Sequence, residues 1–455
     1  MGDHNPRDSL HNCLNRAKDE NRPIPGVSGT GSGSRLALFC RCRYPLQVAA
    51  HAAGVLPSEP PEGPTDWVGD EHVLTGMESE VMRNSVLTGV GPGLVAVLAV
   101  ASCDATGLAV TDPAQEDEEE VFCIGSRAEL SYITSPDAIP ALTDPAFVAS
   151  DHVDASYLED DDRVIALLLD GEPLAFPIKV LQWHEIVNLN RGSTRLSISY
   201  CPLTGTGLVF DRSAVGGAEF GVSGLLYRNN LVLYDRADEP SFFPQMSRRA
   251  ECGPLARSRV SLPMVASWEI RWDAWKRLHP NTLVVSSDTG IERPYSLPPN
   301  AEYERIDNPD VLIPMEIDPR RPPKERVLGI PDSFTGGSAF PFEELKTSER
   351  LAIPFLHAGR GGVVFWERDA EAALSFFDEV AGAELSFDVT SDGFVDSNTG
   401  TRWRLDGLAI EGPLAGERLE PVPEAYVAFW FAWADFQTET WVWLSSGLDS
   451  WPEGS

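Results

Sequence analysis

A β-rich α+β fold is what the sequence predicts, with two homologous domains in tandem, each built from β-hairpins, a small sheet and short helices. Three observations carry the expectation. Landmarks recur in the same order roughly 160 residues apart, too long a period for a solenoid and right for a duplicated domain. Alternating apolar and polar residues with tight-turn dipeptides mark the local signals as mostly β. A hydrophobic content of 42% and a charged content of 23% over 455 residues belong to a globular chain with room for two or three cores.

The repeat is visible residue by residue. Arg163-Val164-Ile165 leading to Ala175-Phe176-Pro177 returns as Arg326-Val327-Leu328 leading to Ala339-Phe340-Pro341. Cys252-Gly253-Pro254-Leu255-Ala256 returns as Glu411-Gly412-Pro413-Leu414-Ala415. An aromatic, helix-like segment follows each, Trp268 to Leu278 and Tyr426 to Phe436, and then a short apolar strand, Thr282 to Ser286 and Thr440 to Leu444. These landmarks place the first repeat at 126–290, a Pro-rich and charged linker at 291–322, and a second, degenerate repeat at 323–447.

Within the first repeat, Asp170-Gly171 between Val164–Leu169 and Leu174–Phe176 predicts a hairpin, because Asp-Gly accepts the positive φ angles of a two-residue turn. Pro177 closes it. Ile178 to Asn188 reads as a helix with Val180, Trp183, His184 and Val187 on one face. Leu196 to Tyr200 alternates as a strand and delivers Cys201 to its end, before Pro202.

The N-terminal region reads differently. Residues 1–81 are rich in Gly, Pro, Ser and Arg and show no period, as expected of a disordered or untranslated extension. Residues 82–103 form a secretory signal: Met82-Arg83-Asn84-Ser85, an apolar run from Val86 to Val100, then Ala101-Ser102-Cys103. Its length and its small residues before the cut suit a signal peptide better than a membrane span, which needs about 20 apolar residues. The cysteine at the cut resembles a bacterial lipobox, so Cys103 is the expected lipidation site. Residues 104–125 then form an acidic tether. A membrane partner through this anchor, in the cell envelope, is the expected location.

Charge excludes one class of partner. The net charge of −33 repels phosphate backbones, so nucleic acid is not an expected partner. The first 103 residues hold 11 acids and 8 bases, so nearly all of the acidity lies beyond them. Beyond Cys103 the cysteines are Cys123, Cys201 and Cys252, too few and too irregular for a zinc framework or a disulfide-dense scaffold. One bridge, from Cys123 to Cys201 or to Cys252, is compatible with an oxidising envelope.

His184 and Cys201 are the candidate functional residues. Imidazole and thiolate together suit copper or zinc, with Tyr200, Tyr227, Glu185 or another histidine completing the shell. A thiol near an imidazole can also act as a nucleophile, with the Thr204-Gly205-Thr206-Gly207 turn offering N–H donors to an anion. The bland alternative makes Cys201 a small buried hydrophobe and His184 a hydrogen-bonded core histidine. The second repeat has neither candidate in register: it reads Lys346-Thr347-Ser348 near the matching position, and no cysteine follows residue 252. Asp396-Ser397-Asn398-Thr399-Gly400 lacks the closing glutamate of a calcium loop and reads as a turn. Trp430, Trp433, Trp441 and Trp443 read as core ahead of a carbohydrate platform. Function divides accordingly between a metal- or thiol-dependent envelope enzyme and a non-catalytic binding or scaffolding protein.

Four long motifs in fixed order carry a family resemblance: Trp183-His184-Glu185-Ile186-Val187-Asn188, Tyr200-Cys201-Pro202-Leu203-Thr204-Gly205-Thr206-Gly207, Phe220-Gly221-Val222-Ser223-Gly224-Leu225-Leu226-Tyr227 and Leu233-Tyr234-Asp235-Arg236. Over roughly residues 130–445 the chain resembles the bacterial and archaeal family catalogued as domain of unknown function 3179. The resemblance implies a tandem-repeat, exported protein and no particular reaction. Many members resemble Cys-Pro-Leu-Cys-Gly at the strand end. Thr204 takes the second cysteine's place here, which leaves one thiol, and Phe243 stands where a family tryptophan is expected.

Overall fold

The computed structural model describes residues 121–125, 129–332, 336–390 and 393–446. The extension, the signal with Cys103, and the tether up to Glu120 lie outside them. The described residues belong to one compact unit, β-rich with short helices.

Two sheets of the same design organise it. In the first, strand Arg163–Leu169 pairs antiparallel with Trp268–Arg271 on one side and Glu172–Pro177 on the other, and Leu283–Val285 adds in parallel beyond. In the second, Arg326–Ile330 pairs antiparallel with Tyr426–Phe429 and Ser338–Pro341, and Trp441–Val442 adds in parallel. Each second strand ends on a proline, Pro177 or Pro341, whose fixed φ sets the start of a helix: Ile178–His184 in one, Phe342–Leu345 in the other. The predicted Asp170-Gly171 turn forms with φ of 51° and 83°, the pair of positive angles a type I′ turn requires.

The correspondence reaches individual side chains. The Trp275 indole N–H donates to Thr282 Oγ1 at 2.8 Å, and that of Trp433 to Thr440 Oγ1 at 2.9 Å. Ser241 Oγ accepts from the Leu255 amide, Thr401 Oγ1 from the Leu414 amide. Buried Asp235 and Asp396 accept from the amides of Ser241 and Thr401 in turn. Gly253 and Gly412 hold φ of 95° and 108° where any Cβ would collide with Ser241 or Thr401, so both Gly-Pro-Leu landmarks share a steric cause.

Packing runs across the halves as well as within them. One core joins Leu167, Phe176, Leu181, Val187 and Ile198 inside the first half, and another joins Leu328, Phe340, Leu345, Val364 and Trp366 inside the second. The other two are mixed. Leu208, Phe210, Phe220 and Leu233 of the first half meet Tyr426, Phe429, Trp430 and Trp433 of the second. Reciprocally, Trp268, Trp272 and Trp275 meet Phe365, Phe376, Phe394 and Trp403. The sheet of each half thus buries one face against the other half.

Two element boundaries differ from the sequence expectation. The helix from Ile178 stops at His184, with Glu185 left-handed at φ 55° and its amide on Leu181 O. Ile186–Arg191 is a strand, paired with Thr194–Cys201; its β-branched Ile-Val start packs better on a pleated surface than in a helix. The aromatic segments also begin as strands, Trp268–Arg271 and Tyr426–Phe429, and turn helical only at Trp272–Leu278 and Trp430–Phe436.

Candidate functional site

His184 ends its helix fully buried. Its Nδ1 lies 2.7 Å from the Pro140 carbonyl, which can only accept, so Nδ1 carries the hydrogen. Nε2 therefore accepts from the Tyr295 hydroxyl, also at 2.7 Å, and that hydroxyl lies 2.6 Å from Thr289 Oγ1. Both ring nitrogens are occupied. Burial pushes the imidazole down to about 4, so it is neutral at physiological pH.

Cys201 ends its strand 1% exposed and is the free cysteine among the described residues. Its thiol faces the Asn229 carbonyl at 3.8 Å and accepts from the Leu231 amide at 3.3 Å. Burial, reinforced by the neighbouring Glu185 carboxylate, pushes the thiol up to about 11. A protonated, sealed thiol is a poor nucleophile. The partners of His184 and those of Cys201 do not overlap: the two stand in adjacent motifs, and no hydrogen bond joins them.

An ionisable neighbour of Cys201 is Glu185, whose carboxyl is pushed up to about 8 by burial alone. Folding thus favours its neutral form, and stability falls as pH rises from the unfolded range near 4.3 through about 8. His184 has the opposite slope: its depressed value makes stability fall as pH drops from about 6.5 towards 4. Of these two groups, only Glu185 contributes a slope above pH 6.5. Glu185→Gln is expected to gain thermal stability relative to the parent between pH 6.5 and 8, and parallel melting curves across that window would disprove the assignment.

After Cys201 the chain turns through Thr204 and Gly205 onto the other half. The Phe429 amide donates to Thr204 O at 2.8 Å, and a Cβ on Gly205 would lie 2.8 Å from the Phe429 ring. Thr204, in the place of a second cysteine, belongs to a buried neutral network. Its hydroxyl lies 2.8 Å from Thr206 Oγ1, Asn230 Nδ2 donates to it at 3.1 Å, and Gln245 links Thr206, Asn230 and Ser199. Such a network rigidifies because each member has a partner. Phe243 fills the core edge-on to Phe220.

The stretch expected as a linker lies against this block. Besides Tyr295 on His184, the Tyr303 hydroxyl donates to Leu203 O at 3.1 Å, and Asn229 exchanges two hydrogen bonds with Ile313. Glu304 Oε1 accepts from Gln182 Nε2 at 2.7 Å and from the Tyr200 hydroxyl at 3.0 Å, while Arg326 Nη2 stands 3.8 Å from Oε2. Lys324, 1% exposed, donates to Tyr303 O at 2.9 Å and sits 3.4 Å above the tyrosine ring. A sequence signal for this exists: Val311-Leu312-Ile313-Pro314-Met315 is an apolar run, which a solvated spacer does not need.

The remaining candidates are structural. Asp396 accepts from Thr399, Thr401 and the Trp403 indole, closing a turn. Trp430 and Trp433 are core. Among the described residues, no three His, Cys, Asp or Glu side chains converge in a group suited to a metal ion. Cys123 and Cys252 form a disulfide, which selects one of the two pairings compatible with the sequence.

Residues 136–440 match the family model described as "Protein of unknown function (DUF3179)". The chain belongs to the DUF3179 family. No curated protein and no solved structure matches it. In this DUF3179 protein the motif residues serve two ends: they fill the first half's core, and they dock the Thr204-Gly205 turn on the second half.

Proposed function

We propose that the protein is exported, held on a membrane through lipid at Cys103, and acts there as a binding or scaffolding body. The carrying observation is the contrast between its cysteines. Cys123 and Cys252 are oxidised to a disulfide, a state that persists in oxidising compartments such as the cell envelope. Cys201 is a protonated core thiol with no imidazole beside it. Mass spectrometry of the native protein is expected to find a diacylated or triacylated Cys103 as N-terminus, and Cys103→Ser is expected to leave the membrane fraction. Recovery of peptides from residues 1–81 with an unmodified Cys103 would refute the anchor.

A metal- or thiol-dependent enzyme is the second reading, favoured by one observation: a buried carboxyl, Glu185, in a left-handed conformation beside Cys201. Copper or zinc at His184 and Cys201 would require His184 to leave Pro140 or Tyr295 and Cys201 to lose its proton. Stoichiometric metal in the parent, absent from both His184→Ala and Cys201→Ala, would establish this reading in place of the first.

A further inference from the structure

We propose that residues 291–322 are a strap whose Glu304 fills, from within the chain, a carboxylate pocket made by Gln182, Tyr200 and Arg326, and that an acidic peptide segment takes this pocket when the strap lifts. The inference rests on the reading of the protein as a binding body and is independent of the lipid anchor.

The pocket is built on rigid elements. Tyr200 is fully buried in its strand, Gln182 lies on the helix ending at His184, and Arg326 opens the central strand of the second sheet. An amide N–H₂, a phenol O–H and a guanidinium converge on one carboxyl, whose two oxygens both accept where an amide offers one; burial pushes Glu304 up to about 7 against the opposing pull of Arg326. Glu269, 3.6 Å from Arg326 Nε and hydrogen-bonded to Arg163, holds the guanidinium from behind.

Glu304 leaves the pocket incompletely used. Gln182 Oε1 and Arg326 Nε are buried without a hydrogen-bond partner. One is an acceptor and the other a donor, beside an occupied carboxylate site. A peptide can supply the complement of Gln182, a backbone N–H, while Arg326 Nε faces Glu269 at 3.6 Å. Buried polar groups without partners cost free energy, so a ligand that satisfies Gln182 has an advantage over the strap.

The strap has the character of a removable cover. No helix or strand lies between Val285 and Arg326. Around Glu304 its side chains point outward: Glu302 is 91% exposed, Arg305 56% and Asp307 66%. Only Tyr303 and Glu304 of this turn point in, and Tyr303 shares a core with Cys201. Segments outside any helix or strand ladder open at lower free energy than paired strands, although Tyr295, Tyr303, Val311 and Met315 also pack this one onto the cores. Lifting the strap uncovers Cys201, which makes the thiol a reporter of opening.

The test compares iodoacetamide labelling at Cys201, read site by site by mass spectrometry, in the parent and in Glu304→Ala. Labelling is expected to be on the order of ten-fold faster in the variant, the loss of a charge-assisted contact, with an unchanged near-UV CD spectrum. A peptide of residues 300–308 added to Glu304→Ala should restore protection, and the same peptide with glutamine for both glutamates should not. Should Glu304→Ala lack a native spectrum, Glu304→Gln replaces it in the same comparisons, with smaller acceleration expected. Equal labelling rates in parent and folded variant would overturn the strap; failure of the acidic peptide to protect would overturn the pocket.

Discussion

Residues 121–290 expressed alone are expected not to fold, and residues 291–446 alone are expected to fail in the same way. The reason lies in the two mixed cores. Removing the second half strips Phe429, Trp430, Phe431 and Trp433 from contact with Leu208, Phe210, Phe220 and Leu233. At about 1.5–3 kcal/mol for each large apolar side chain, those four alone represent about 6–12 kcal/mol. A whole domain is stable by only about 5–15 kcal/mol. The truncated half also loses the partners of Trp268, Trp272 and Trp275. It would leave two large apolar surfaces in water, the usual source of aggregation. The measurement is near-UV CD and amide dispersion of each half against the whole. A dispersed spectrum with a cooperative melt for either half would show that the mixed cores are dispensable.

This expectation could not be reached from the sequence. The matching landmarks were legible because both sheets place them alike: Arg163 and Arg326, Pro177 and Pro341, and Gly253 and Gly412, where steric crowding admits only glycine. The partner of each apolar face was not, since Phe210 reads as an inward residue whichever half covers it. The strand-to-helix switch at Trp272 was hidden by a coincidence of periods. Trp268, Trp272 and Trp275 stand at i, i+4 and i+7, a helical stripe, while Trp268 and Ile270 also alternate as a strand. Pairing of Trp268 with Ala166 and of Ile270 with Val164 decides it, and a local window contains neither partner.

The candidate block shows the same division. His184 and Cys201 stand out as residue types, and the strand that delivers Cys201 was legible from its alternation. What each side chain does depends on Pro140, Tyr295, Asn229 and Leu231, which no spacing rule connects to them. Proline and charge made 291–322 look like a spacer, and its Tyr295, Tyr303 and Glu304 were the residues that composition could not place.

Replacing both Cys123 and Cys252 by serine is expected to lower stability by about 2–4 kcal/mol, the usual range for a bridge. The bridge spans 129 positions, and chain entropy alone allows about 5 kcal/mol for so long a loop. The lower figure is expected because the tied segment is short. Phe122 O and the Ile124 amide pair with the Gly253 amide and Glu251 O at 2.8 Å each, so the unbridged chain can fray at residues 121–125 without opening its cores, recovering some entropy in the native state. A lower urea midpoint is the readout, with a steeper slope because the unbridged unfolded chain is less compact. Cys201→Ala is the control, since it alters core packing without touching any loop. A reducing agent should reproduce the double-serine midpoint in the parent and leave the double-serine protein unmoved. If reductant shifts neither, the bridge contributes nothing, and the argument for an oxidising compartment loses its footing together with it.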